Sequence, residues 1–192
     1  MKNKPSVIKA LCLVPSRNKC FTKFGGNPNL PESIVWPETS KGQPLDFLAQ
    51  IHFSEITEKT DLPESGTLFV FYSNYENWKL IYTEEPLPES GRTPVQTGGR
   101  PWVYRESFRR FKFLRSSRCK FAPYHQMLGR PYCLQHDNMA PGYKLLLQID
   151  SDLEDNGPGW TWGDVGIIYF FIRPSDLDEK NFDNVRAFWE CC

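Results

Sequence analysis

The sequence predicts an α+β fold: a largely antiparallel β-sheet with few short helices, in which an internal duplication packs two pseudo-equivalent halves as one domain over residues 1–192. Three observations carry this expectation. Leu48-Ala49-Gln50-Ile51 is followed by Gly66-Thr67-Leu68-Phe69-Val70-Phe71-Tyr72, and Leu146-Leu147-Gln148-Ile149 by Gly166-Ile167-Ile168-Tyr169-Phe170-Phe171-Ile172. The Gln-to-Gly step is 16 positions in the first copy and 18 in the second, a difference of one small loop change. Apolar runs of strand length outnumber helix-period patterns, and Pro, Gly and Asn punctuate the chain every few residues. A unit repeated once buries its apolar face against its copy. The halves fall near 24–83 and 122–192, joined by a basic connector near 84–121.

Along the chain, residues 7–14 form a short apolar run that suits a helix end or an edge strand. Gly25-Gly26-Asn27-Pro28, Leu30-Pro31 and Trp36-Pro37 then exclude a helix interior and read as an ordered loop pinned by Trp36. Residues 45–53 read as a strand, 55–62 as a turn or short helical piece, and 66–72 as a strand so continuously apolar that both faces must be covered. Residues 78–83 alternate as a further strand. Between 102 and 121, Phe108, Phe111 and Phe113 sit among Arg105, Arg109, Arg110, Lys112 and Arg115, with spacings that mix helix and strand periods. Leu128-Gly129-Arg130-Pro131 echoes the Gly26 to Pro28 step, which extends the repeat upstream of the second Gln-bearing strand. Near the C-terminus, Pro174 opens an acidic turn with Ser175 as the expected N-cap, and residues 185–189 read as a closing strand.

Composition narrows the function classes. Hydrophobic residues make up 40% and charged residues 24% of the 192, which excludes a disordered chain. No run approaches the roughly 18 apolar residues of a spanning helix, and residues 7–14 lack a cleavage site for export, so the expectation is a cytoplasmic protein with no membrane partner. The six cysteines form no Cys-x-x-Cys pair, and reduced thiols are expected. Cys191-Cys192 at the end of a strand reads as terminal packing rather than a lipidated tail. The formal net charge of zero conceals blocks: six basic and no acidic residues over 1–31, three and eleven over 32–91, ten and one over 92–130, four and eleven over 131–192. Such blocks either neutralise one another or steer a charged partner.

Taken in order, Lys23-Phe24-Gly25-Gly26-Asn27-Pro28, Leu30-Pro31, Trp36-Pro37, Leu48-Ala49-Gln50-Ile51, Leu146-Leu147-Gln148-Ile149-Asp150-Ser151-Asp152, Trp162-Gly163-Asp164 and Tyr169-Phe170-Phe171-Ile172 resemble the YwqG-like family of domains of unknown function. The resemblance covers roughly residues 24–192. It implies a duplicated α+β fold, largely bacterial, with no established activity, and for some members a role as immunity proteins beside toxins. The middle of this chain is shorter and more basic than that pattern.

Several residues could carry chemistry. Gln50 and Gln148 lie in apolar strands, where an unpaired amide costs about 1–3 kcal/mol, so each must clamp a neighbouring loop or share in a ligand site. With Gly26, Pro28, Trp36 and Gly163 they form the expected structural set. Asp150, Asp152, Glu154, Asp155 and Asp164 surround a Gly-Pro-Gly loop, but a calcium loop opened at Asp152 reaches Gly163 where a bidentate Glu is required, so no metal is assigned. An acidic loop with Asp164 bonding amides near Gly166 is the expectation there. Cys133-x-x-His136 alone has zinc-like spacing, and Cys119 and His125 do not complete it. No nucleophile-elbow, Walker-type or dinucleotide signature occurs, and no cofactor is assigned.

These readings favour a non-catalytic, intracellular protein-binding module, most concretely an immunity protein neutralising a toxin, with Arg105, Arg109, Arg110 and Trp162 as binding residues. One alternative is an enzyme with a carboxylate-based site at Asp164, joined by Gln148 and Trp162. The other is nucleic-acid binding through the basic aromatic segment 100–120, which the flanking acidic blocks disfavour.

Overall fold

In the computed structural model the described residues are 9–16, 18–73, 77–93, 109–116, 119, 122–135, 141–153 and 158–191. Their backbone forms β1 (Ala10–Ser16), β2 (Lys23–Phe24), β3 (Asp46–His52), β4 (Thr67–Ser73), β5 (Asn77–Thr83), β6 (Arg109–Ser116), β7 (Gln126–Met127), β8 (Lys144–Asp150), β9 (Ile167–Ile172) and β10 (Arg186–Glu190). A 3-10 turn, Phe53–Glu55, and one five-residue helix, α1 (Pro174–Asp178), complete the regular structure. The class is therefore mostly β rather than the expected α+β. The expected helix is a single turn, because Pro174 opens it and Lys180 ends it at a φ of 54°. Ser175 lies inside that turn rather than capping it; Arg173 is the N-cap and makes no side-chain bond.

The strands hydrogen-bond in the order β10-β9-β8-β7-β1-β6-β2-β3-β4-β5, every pair antiparallel. The order reads the same from either end if β1 to β5 are exchanged for β6 to β10. At the centre β1 pairs along its length with β6, from Ala10 opposite Ser116 to Ser16 opposite Arg110. Two expectations fail here. The apolar run at 7–14 feeds a central strand rather than an edge, and the stretch read as a connector contributes the other central strand. Neither placement is local in origin: each strand takes its partner from about a hundred residues away.

The sheet folds over so that its two arms face each other. Trp78 on the edge strand β5 meets Phe170 on β9, near the opposite end of the ladder, edge to face at 5.3 Å between ring centroids. Tyr72 meets Trp162 at 5.6 Å. Such contacts require the two arms of the ladder to fold into facing layers. Between them lies the principal core, which takes Leu68, Val70 and Tyr72 from β4 and Ile168, Phe170 and Ile172 from β9. The alternate residues of those strands are buried on the outer side: Phe69 and Phe71 with Trp36, Leu45 and Phe47, and Ile167, Tyr169 and Phe171 with Leu145, packed against Tyr132, Leu134 and Phe188. Burial on both faces explains why β4 and β9 read as continuous apolar runs. Both Gln-bearing strands also carry an irregularity at one place, between Phe47 and Ala49 in β3 and between Leu145 and Leu147 in β8. Ion pairs from Lys79 to Asp183 at 2.6 Å and from Lys144 to Asp61 at 2.7 Å tie the layers at the surface, where each adds little stability.

Cys12 of β1 is joined to Cys119 by a disulfide, which overturns the expectation of reduced thiols for these two, while Cys20, Cys133 and Cys191 form no disulfide. A pairing 107 residues apart leaves no spacing motif in the sequence. Disulfides persist in oxidising compartments, so the bond weighs against the cytoplasmic expectation. Among the described residues no helix is long and apolar enough to cross a membrane.

Because the bond closes so long a loop, replacing Cys12 and Cys119 together by serine is expected to lower the unfolding free energy by about 4–5 kcal/mol on the chain-entropy account. Denaturant titration with and without reductant reads this as a shifted midpoint. Coincident midpoints would contradict it.

Candidate functional site

An amide in an apolar strand is tolerable only if its donors and acceptor are used, and Gln50 uses all of them while being fully buried. Its Oε1 accepts the Asn29 backbone N–H at 2.8 Å, and its Nε2 donates to the Phe21 carbonyl at 2.7 Å and to Asn29 Oδ1 at 3.1 Å. Gln148 does the same in β8: Oε1 accepts the Tyr132 N–H at 2.9 Å, and Nε2 donates to the Tyr124 carbonyl. Residues 21 and 124, and residues 29 and 132, thus hold matching positions around the two glutamines. The match continues. Lys23 is paired with Gln50 and Gln126 with Gln148, and their side-chain nitrogens donate to the Asn27 and Arg130 carbonyls respectively. Each loop then turns through two consecutive left-handed residues, Gly25 and Gly26 at φ 64° and 69°, Leu128 and Gly129 at 58° and 71°. In the next layer, Thr22 Oγ1 accepts the His52 N–H and His125 Nδ1 accepts the Asp150 N–H.

Around the first glutamine lies a cleft of about 430 Å³. It is lined by Lys19, Cys20 and Phe21, by His52, Ser54 and Glu55, and by Asn29 and Glu89. Much of this polarity is already used. Glu55 accepts the Phe21 and Thr22 N–H groups, one on each carboxylate oxygen, and His52 Nδ1 bonds Thr67 Oγ1 at 2.8 Å. The Asn29 amide donates to the Pro88 and Glu89 carbonyls, and its Oδ1 receives Lys23 Nζ at 2.8 Å, which binds residues 88–89 over the cleft.

Around the second glutamine the polar groups are buried instead. His125 and Asp152 are both fully enclosed, with His125 Nε2 3.6 Å from Asp152 Oδ2. Since Nδ1 accepts the Asp150 N–H, the ring proton sits on Nε2, facing that carboxylate. Asp150 lies above the usual carboxylate range: burial raises its pKa, and the bond from the Tyr124 N–H at 2.7 Å offsets only part of the rise. Trp160, opposite Asp152 in a two-residue bridge, and Trp162 pack at 5.5 Å, and neither indole N–H has an acceptor among the described residues.

The expected site residues separate. Trp162 is buried core, its backbone N–H accepted by Ser151 Oγ at 3.1 Å. Asp164 is exposed on the turn before β9 and makes no hydrogen bond among the described residues. The Gly166 N–H is taken instead by the Trp162 carbonyl at 2.7 Å, and the Gly166 carbonyl by Ser151. Gly163, at φ 59°, allows this turn: a Cβ there would come within 2.8 Å of the Trp189 ring. Trp36 donates its indole N–H to the Leu45 carbonyl at 2.8 Å, and Gly26 and Pro28 are buried beside Gln50. Arg109 and Arg110 open β6, with Arg110 opposite both Ser16 and Lys23. Arg105, His136, Cys192, residues 154–157 and the greater part of 100–120 lie outside the described residues. No cluster of metal-ligating side chains occurs among the described residues. Sequence reasoning missed the cleft and the His125–Asp152 pair. The one signal available for the latter was the repeat itself, which aligns His125 with Thr22.

A family model described as a domain of unknown function (DUF1963) matches residues 22–191, and is compatible with the resemblance drawn from the motifs. No curated protein matches the chain.

Replacing Gln50 or Gln148 by leucine strands a loop N–H and a carbonyl, so each variant is expected to lose about 2–4 kcal/mol in chemical denaturation. Wild-type stability in either would refute the clamp. Asp150→Asn keeps an acceptor for the Tyr124 N–H while removing a charge whose folded pKa is raised. That shift disfavours folding above the folded pKa and fades below it. The variant should therefore melt higher than wild type at pH 7 and coincide with it in acid, as followed by melting temperature across pH. The reverse order would show that the ionised carboxylate is a net asset.

Proposed function

The chain belongs to the DUF1963 family, and we propose that it is a non-catalytic protein-binding module, made of two equivalent halves that arose by internal duplication, with neutralisation of a toxin-like partner as its most concrete role. The observation that carries this reading is the commitment of the polar groups. Gln50, Gln148, Asn29, Glu55 and Glu190 all spend their side chains on backbone partners. Groups so engaged position loops, and they are not free to exchange protons with a substrate at each turnover. The enzyme alternative gains no support from geometry, because the cleft among the described residues is lined by none of exposed Asp164, buried Trp162 and committed Gln148. A module with committed interior groups acts through its surface. The sequence alternates a basic block, 92–130, with acidic neighbours, and a charge pattern of this kind steers encounter, raising association rates more than affinity.

The test is affinity capture of the intact protein from nuclease-treated lysate of its own source, in parallel with an Arg109→Glu/Arg110→Glu variant. One stoichiometric protein is expected, bound by wild type with an association rate that falls at least about tenfold in the variant and with added salt. Turnover of a metabolite, unchanged in the variant and with no protein captured, would sink the reading.

A further inference from the structure

We infer that the cleft beside Phe21 is a binding site for a flat aromatic ring carrying a polar substituent. The second half of the chain displays a matching framework with the place filled. There Tyr132 lays its ring on Tyr124, with centroids 4.3 Å apart and planes inclined by 19°. By the glutamine bonds, residue 124 corresponds to Phe21 and residue 132 to Asn29. Phe21 keeps the aromatic platform, but among the described residues the ring against it is His52, edge-on, and none stacks over its face. Asn29 is turned inward to Lys23, Gln50 and the residue 88–89 carbonyls, and what remains above the platform is the cleft of about 430 Å³.

The size and lining agree with an external occupant. Small-ligand pockets fall at about 300–1,000 Å³ with an apolar wall and a few placed polar groups. Here the apolar wall is Phe21, itself braced edge-on by the His52 ring at 5.4 Å, and Lys19, Ser54 and Glu89 are among the polar lining. A ring stacked on Phe21 takes the contact that Tyr132 makes in the other half, and a hydroxyl, amine or carboxylate on it reaches the rim. The cleft is also held open by structure rather than by chance. The Asn29 bonds that withdraw the side chain from the platform are the same bonds that fix residues 88–89 at the rim. The inference concerns this cleft alone and stands whether the ring belongs to a free molecule or to a side chain of the proposed partner.

Phenol, N-acetyltyrosinamide, a glycine-flanked tyrosine pentapeptide and N-acetylcyclohexylalaninamide serve as probes, titrated into the intact protein with backbone amide shifts followed by NMR. Saturable shifts at Phe21, Asn29, His52 and Ser54 are expected for the three aromatic probes, with the cyclohexyl analogue about tenfold weaker. Ser54→Trp, which fills the cleft from an exposed position, and Phe21→Leu, which keeps the carbonyl bond to Gln50 while removing the platform, should each abolish those shifts with the fold intact. Equal binding of phenol and pentapeptide assigns the site to free aromatic molecules, and tighter binding of the pentapeptide assigns it to a partner's side chain. Equal binding of the cyclohexyl analogue would overturn the inference. So would shifts that map elsewhere, or that survive in both variants.

Discussion

A buried primary amide inside a strand is the constraint on which this structure turns. Gln50 and Gln148 each face the outer side of the sheet, opposite Phe69 and Tyr169, where the strands would otherwise need only apolar cover. An amide there is worse than an apolar residue unless every donor and acceptor is met, and what meets them is chiefly the backbone of a nine-residue loop, 21 to 29 in one case and 124 to 132 in the other. The clamp converts a sequence of Gly, Pro and Asn, which by itself specifies little more than irregularity, into a fixed surface. The short strands β2 and β7 have only two residues each, and they owe their place in the ladder to the loops that follow them being tied down.

With the two loops fixed alike, differences between the halves become informative. At the position next to the clamp Thr22 in one half corresponds to His125 in the other, and the carboxylates that take the adjoining N–H groups are Glu55 and Asp150 respectively. One half closes its outer face with the Tyr124–Tyr132 stack, the Tyr169 hydroxyl on the Tyr132 carbonyl, and Glu190 on the Leu134 and Gln135 N–H groups. The Tyr169 hydroxyl is held well above its ordinary pKa, by burial first and by the adjacent Glu190 second, and stays a donor at any working pH. The other half puts Asn29 and residues 88–89 there and leaves a cleft. The two clamps match, and among the described residues the cleft lies beside the first of them.

How much of this the amino-acid sequence makes legible follows from how local each feature is. β3, β4, β8 and β9 are read correctly because burial on both faces writes itself as an unbroken apolar run. The clamp is legible in kind, since a Gln in such a run has to find backbone partners. β1 and β6 are not, because a strand interrupted by Pro15, or one dense in arginine, becomes central only through pairing across about a hundred residues. The same distance hides the Cys12–Cys119 bond. The cleft escapes for a related reason: its walls come from four segments, around residues 20, 29, 53 and 89, and none carries a recognisable motif. Asp164 attracts attention as a carboxylate beside tryptophans, yet Trp162 turns into the core while Asp164 turns to solvent.

Native-state hydrogen exchange at the Asn29 and Tyr132 amides tests the central claim most directly. Both N–H groups lie in loops, and loop amides ordinarily exchange through small local openings. If the glutamines hold the loops as described, both amides exchange only through global unfolding, with the same free energy as the amides of β4 and β9. Exchange at the rate of the exposed turn at 39–43 would show that the loops open independently of the sheet, and the glutamine clamp would no longer explain the fold or the cleft.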